Sequence, residues 1–110
     1  MALPHAASGQ LIELEREIDN TRFSAIALAK TDELELVRLT LPKGKVMPEH
    51  HVPGEITVQC LSGEVVLDAH GASQSLRAGQ MVFLAGGQVH ALRAEQDSVL
   101  LLTMLLVKGY

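Results

Sequence analysis

From Ser24 onward the chain alternates apolar and polar positions at the period-two spacing of a half-buried strand, in short runs punctuated by turn residues. Ser24 to Lys30 and Leu34 to Leu41 read as a hairpin around Thr31 and Asp32. Further strands are expected over Ile56 to Leu61, Glu64 to Ala69, Met81 to Leu84, His90 to Ala94 and Val99 to Val107. Turns fall at Pro42 to Gly44, Ser62 and Gly63, His70 and Gly71, Ala78 and Gly79, and Gly86 and Gly87. Many short strands at regular spacing predict an all-β sandwich or barrel. Before Ser24 the pattern is two-sided. Leu11, Leu14 and Ile18 fit a helical face, whereas Ile12, Leu14 and Arg16 fit alternation, so a short N-terminal helix or strand is expected there.

The run from Val99 to Val107 is apolar on both strand faces. One face is expected to line the barrel and the other to be covered, most simply by a second subunit, which predicts a homodimer. At 110 residues the chain is expected to form a single domain over 1–110, with a barrel core over about 24–107. Apolar residues make up 47% of it and aromatics only 3%, so the core is aliphatic and offers few stacking faces to a ligand.

Thirteen acidic and nine basic residues give a net charge of −4, with no cluster of Lys or Arg of the kind a phosphate backbone requires; no nucleic-acid partner is expected. The opening Met-Ala-Leu-Pro-His lacks the features of an export signal, and the longest apolar run is too short to span a bilayer. No membrane partner is expected. The single cysteine, Cys60, forms no intrachain disulfide, which suits the reducing cytoplasm, the expected location.

The candidate chemistry lies in two glycine-punctuated blocks, Gly44 to Gly63 around His50 and Gly79 to His90. In an all-β chain such blocks can bring two imidazoles together on facing strands, and neutral imidazole is the commonest metal ligand. The blocks resemble the cupin superfamily motifs G(X)5HXH(X)3,4E(X)6G and G(X)5PXG(X)2H(X)3N. Gly44, His50 and Gly63 match the first, and Gly79, Gly87 and His90 the second. The resemblance implies a double-stranded β-helix (jelly-roll, cupin-like) barrel whose pocket binds a small molecule. Among the metal-assisted activities of such proteins are dioxygenase, isomerase and decarboxylase reactions.

The departures bear on function. Val52 stands where the family places its second histidine and Ile56 where it places glutamate, so two of four usual ligands remain; Ala85 and Ala94 replace a proline and an asparagine. His50 and His90 are the expected metal and ligand contacts, with a divalent metal (Fe, Mn, Ni or Zn) weakly held or absent. Strand parity puts His51 on the opposite face from His50, so His51 enters the pocket only if Val52-Pro53-Gly54 distorts the chain. The same distortion would let Glu55 replace the missing carboxylate, and a bulge further on would turn Gln59 inward as a ligand contact. Without these adjustments Ile56, Val58 and Cys60 face the barrel and Thr57 and Gln59 face out. Arg38 and Arg93 are expected to be surface residues, with anchoring of an anion as the alternative reading. Three readings stay open: a metal-assisted enzyme, a metal-free, non-catalytic binding or sensing module in the same pocket, and a structural dimer without a ligand.

Overall fold

A computed structural model describes residues 5–16 and 18–107. It contains nine strands: β1 Ser24–Lys30, β2 Leu34–Leu41, β3 Val46–His50, β4 Ile56–Ser62, β5 Glu64–Ala69, β6 Ala72–Arg77, β7 Met81–Leu84, β8 His90–Ala94 and β9 Ser98–Leu105. They form a five-stranded sheet in the order β1-β2-β9-β4-β7 and a four-stranded sheet in the order β3-β8-β5-β6, with all pairings antiparallel. Two such sheets facing each other across one core make the jelly roll that the cupin resemblance implies, within the sandwich or barrel class that the strand pattern predicts.

Seven of these strands lie where alternation predicts them, to within two residues at the ends of β4 and β9. The other two, β3 and β6, are the edges of the four-stranded sheet. Their sequences, VMPEH and ASQSLR, lack an apolar stripe, and β6 fully buries only Leu76. An edge strand tolerates this composition, Pro48 included, because one side of its backbone needs no sheet partner.

The core is aliphatic. Leu39, Leu41, Val58, Cys60, Leu100, Val65, Leu67, Leu76, Leu92 and Ala94 are buried between the sheets. Central strand β9 sends Leu100, Leu102 and Met104 inward, while Leu101, Thr103 and Leu105 alternate to the outer face. That outer face remains partly open: Leu105 is exposed, as are Met81 and Phe83 on edge strand β7, on the far side of β4.

No helix occurs among the described residues, which corrects the helical alternative for the N-terminus. Residues 5–16 and 18–23 run as turns and bends. A turn through Gly9, at φ +83°, and a local turn in which the Asp19 carboxylate accepts the Thr21 N–H break any continuous helical ladder. Leu11, which would lead the apolar helical face, is 87% exposed. The segment instead lies against the five-stranded sheet: Ala6 N–H donates to the Leu28 carbonyl at 2.8 Å, and Arg38 Nη1 donates to the Leu14 carbonyl at 3.4 Å.

Candidate functional site at the open end of the barrel

The site is positioned by an irregularity in β3. Met47 pairs with Leu92 and His50 with His90, so three steps along β3 match two along β8. The extra residue is a bulge at Pro48 and Glu49, which changes the strand's parity. In an unbulged strand with Met47 inward, Glu49 would oppose His90 and His50 would turn away. The bulge sets the two imidazoles side by side, with ring centroids 4.4 Å apart and planes at 56°. His90 is 2% exposed, on the inward-facing row with Leu92 and Ala94, whereas His50 is exposed at the rim.

Both rings are held by the same local bond. His50 Nδ1–H donates to the Pro48 carbonyl at 3.2 Å, and His90 Nδ1–H donates to the Gln88 carbonyl at 2.9 Å, in each case two residues back. A carbonyl oxygen can only accept, so the proton of each neutral imidazole belongs on Nδ1 and the lone pair on Nε2. Backbone carbonyls fix ligating histidines in this way in metal sites. Burial pushes the His90 pKa below its ordinary value; the Gln88 carbonyl acts the other way, and positive charge on His50 or His51 would lower it further. His90 therefore favours the neutral form that offers a lone pair.

Burial falls along the inward-facing rows of the sheets. Leu41, Val58, Cys60, Val65 and Leu100 are fully buried. Toward the histidines, the inward-facing Val37, Met47, Val52, Leu102 and Met104 pack on the core yet remain partly accessible.

The other candidate residues do not join the pair. Pro53 and Gly54 do bend the chain, but the bend ties the loop down. A Cβ on Gly54 would lie 1.9 Å from the Leu105 carbonyl oxygen, and one on Gly86 would lie 2.4 Å from that of Pro53. Gly87 N–H donates to the Val52 carbonyl at 2.8 Å, and Leu105 N–H to that of Glu55 at 3.0 Å. His51 is left exposed. Glu55 is exposed on a cleft of about 240 Å³ with Thr57, Phe83, Thr103 and Leu105. Gln59 alternates with fully buried Val58 and Cys60 and so faces outward, with β4 regular at that point. Among the described residues, no group of three or more His, Cys, Asp or Glu is arranged to hold a metal ion.

The arginines are also elsewhere. Arg38 alternates with inward Val37 and Leu39 and lies on the outer face, its Nε buried without a hydrogen-bond partner; Arg93 is exposed and bonds Glu95 at 3.0 Å. A larger groove of about 380 Å³, lined by Glu49, Asp68, His70, Ser73 and Gln88 among others, lies at the β5–β6 turn and includes neither His50 nor His90. Sequence reasoning missed the carbonyls of Pro48 and Gln88 as ring-holders. A proline inside a strand is the signal that could have located the bulge.

Two antiparallel sheets in jelly-roll order, with a histidine pair across β3 and β8, define the class of small jelly-roll β-barrel domains. The chain belongs to the cupin family: the cupin domain matches residues 37–107. Among solved structures, a conserved protein of unknown function from Streptococcus pyogenes is similar with a TM-score of 0.81 and 22% identity, over 99% of this chain and 97% of that one. A cupin superfamily protein from Desulfitobacterium hafniense has a TM-score of 0.77 and 17% identity, over 97% of this chain and 99% of its own. The DMSP lyase DddQ from Ruegeria pomeroyi has a TM-score of 0.71 and 24% identity, over 81% of this chain and 49% of its own. At these identities the likeness is one of fold. Among curated proteins none matches the chain.

Proposed function

We propose that this cupin binds a small molecule at the open end of its barrel through the Nε2 atoms of His50 and His90. The observation that carries the reading is the cross-strand pair itself, with both Nδ1 atoms committed to backbone carbonyls. Two free imidazole lone pairs beside an accessible aliphatic wall form a pocket with a defined polar end.

The donor set also fits two positions of a divalent metal such as Fe, Mn, Ni or Zn, with waters or the ligand supplying the rest. When bound, such an ion polarises a carbonyl or carboxylate. His50 and His90 would hold it, and the aliphatic wall would exclude water. With two protein ligands the ion is held weakly. The absence of a third ligand among the described residues favours the metal-free, non-catalytic alternative, in which the same two nitrogens contact the ligand directly.

In this reading the protein acts as a homodimer, with the outer face of the five-stranded sheet as the contact. Support comes from exposed Met81, Phe83 and Leu105, which share that face with the uncharged Thr57, Gln59, Leu101 and Thr103.

The test is metal content by plasma mass spectrometry, after expression with Fe, Mn, Ni and Zn present, for wild type and a His50→Ala/His90→Ala double variant, followed by ligand screening by thermal shift. Metal or ligand stabilisation present in wild type and lost in the variant supports the site. Equal metal and equal ligand response in both would overturn it.

A further inference from the structure

We infer that the open end of the barrel selects short aliphatic molecules through a hydrogen-bond-donating head, an alkanol or alkylammonium, and discriminates against the carboxylate of the same length. This rests on the reading of the His50–His90 end as the ligand site and specifies what it takes.

The head-group preference follows from the count of donors and acceptors. Each neutral imidazole has one N–H, and both are committed, to Pro48 and Gln88. The two rings therefore present two acceptors and no donor of their own to the ligand. Neither arginine named above supplies a cation: Arg38 lies on the outer sheet face and Arg93 is exposed beside Glu95. A carboxylate would set its lone pairs against those of two Nε2 atoms and would be desolvated without a partner. A hydroxyl brings one donor and an ammonium three, and a bond from a charged donor is the stronger kind. The net charge of −4 also favours approach of a cation.

The preference for an aliphatic body follows from the walls. Val37, Met47, Val52, Leu102 and Met104 face the interior and stay partly accessible. Both phenylalanines, Phe23 and Phe83, are exposed on the surface instead. The pocket thus offers methylene contacts in place of ring stacking, and each methylene taken from water improves affinity by about fourfold.

The test uses metal-free protein with 15N-labelled histidine at about pH 8, where an ordinary imidazole is neutral. The probes are pentan-1-ol, pentylamine, pentanoate and propan-1-ol, with ring nitrogens followed by NMR. Pentan-1-ol and pentylamine are expected to shift both Nε2 resonances with dissociation constants at least about tenfold below that of pentanoate, and propan-1-ol to bind about tenfold more weakly than pentan-1-ol. His50→Ala, at an exposed ring whose removal spares the core, is expected to weaken pentan-1-ol binding several-fold. Pentanoate binding as tightly as pentan-1-ol overturns the inference. So does silence of the rings toward every organic probe while added Zn2+ shifts both Nε2 signals, a result that leaves the site itself standing. If neither the probes nor Zn2+ move them, the site reading falls as well.

Discussion

His50 and His90 are cross-strand partners although the bulge at Pro48 and Glu49 puts one more residue before His50 than β8 has to match it. Their pairing depends on backbone irregularity more than on strand alternation. It is also asymmetric in environment, with one ring buried and the other at the rim, while each is held by the same bond to a carbonyl two residues back.

Acid should weaken the fold through His90. Its folded pKa lies below the ordinary 6.5, chiefly because of burial. The unfolded chain therefore binds more protons as pH falls through that value, and stability declines with falling pH until the folded pKa is passed. Above about pH 7 this contribution is flat. Chemical denaturation across pH 4.5 to 8 is expected to show the decline, and His90→Gln to reduce its slope. An unchanged slope in the variant would assign the pH dependence to other groups.

Glycine at 54 is required by contact. Its Cβ would overlap the Leu105 carbonyl, a backbone atom that cannot rotate away. Gly54→Ala is expected to cost about 1–3 kcal/mol by overpacking and to loosen the loop beside the histidines. Gly9→Ala, at a position with open space around it, suffers only its positive φ and serves as the comparison. Equal unfolding midpoints for wild type and Gly54→Ala would contradict the packing argument.

Cys60 should be chemically quiet. Burial is the main cause that raises its thiol pKa above the ordinary value, and the side chain is fully enclosed, with Sγ directed at the Ser62 carbonyl. Native protein is expected to react with Ellman's reagent orders of magnitude more slowly than unfolded protein. Immediate stoichiometric reaction would show that the core around Cys60 opens readily.

The outer sheet face gives a prediction about assembly. Light scattering is expected to give a mass near twice the 11.9 kDa chain for wild type and near one chain for Phe83→Glu, which introduces a charge at a 61% exposed apolar position. A monomeric wild type would remove the homodimer from the account.

Much of the fold was legible because most strands carry their burial in their alternation: Ile56, Val58 and Cys60 turn inward and Gln59 outward as parity requires. Edge strands β3 and β6 were not legible, since neither presents an apolar stripe. The histidine pair was legible from its glycine-flanked spacing. Its supports were not, because they are backbone carbonyls, identical in every residue, and only the fold selects those of Pro48 and Gln88. The Pro53-Gly54 bend was visible as a distortion, but its direction was set by contacts with Gly86 and Leu105, distant in sequence. Hence His51 and Glu55 could not be placed by local pattern.

The most direct test of the central claim is a long-range 1H–15N spectrum of the histidine rings with and without added Zn2+. The account predicts that His50 and His90 are both protonated on Nδ1 when neutral, with bare Nε2 atoms that shift together as the ion is added. Protonation of either ring on Nε2, or rings that respond neither to the ion nor to any of the organic probes, would contradict it.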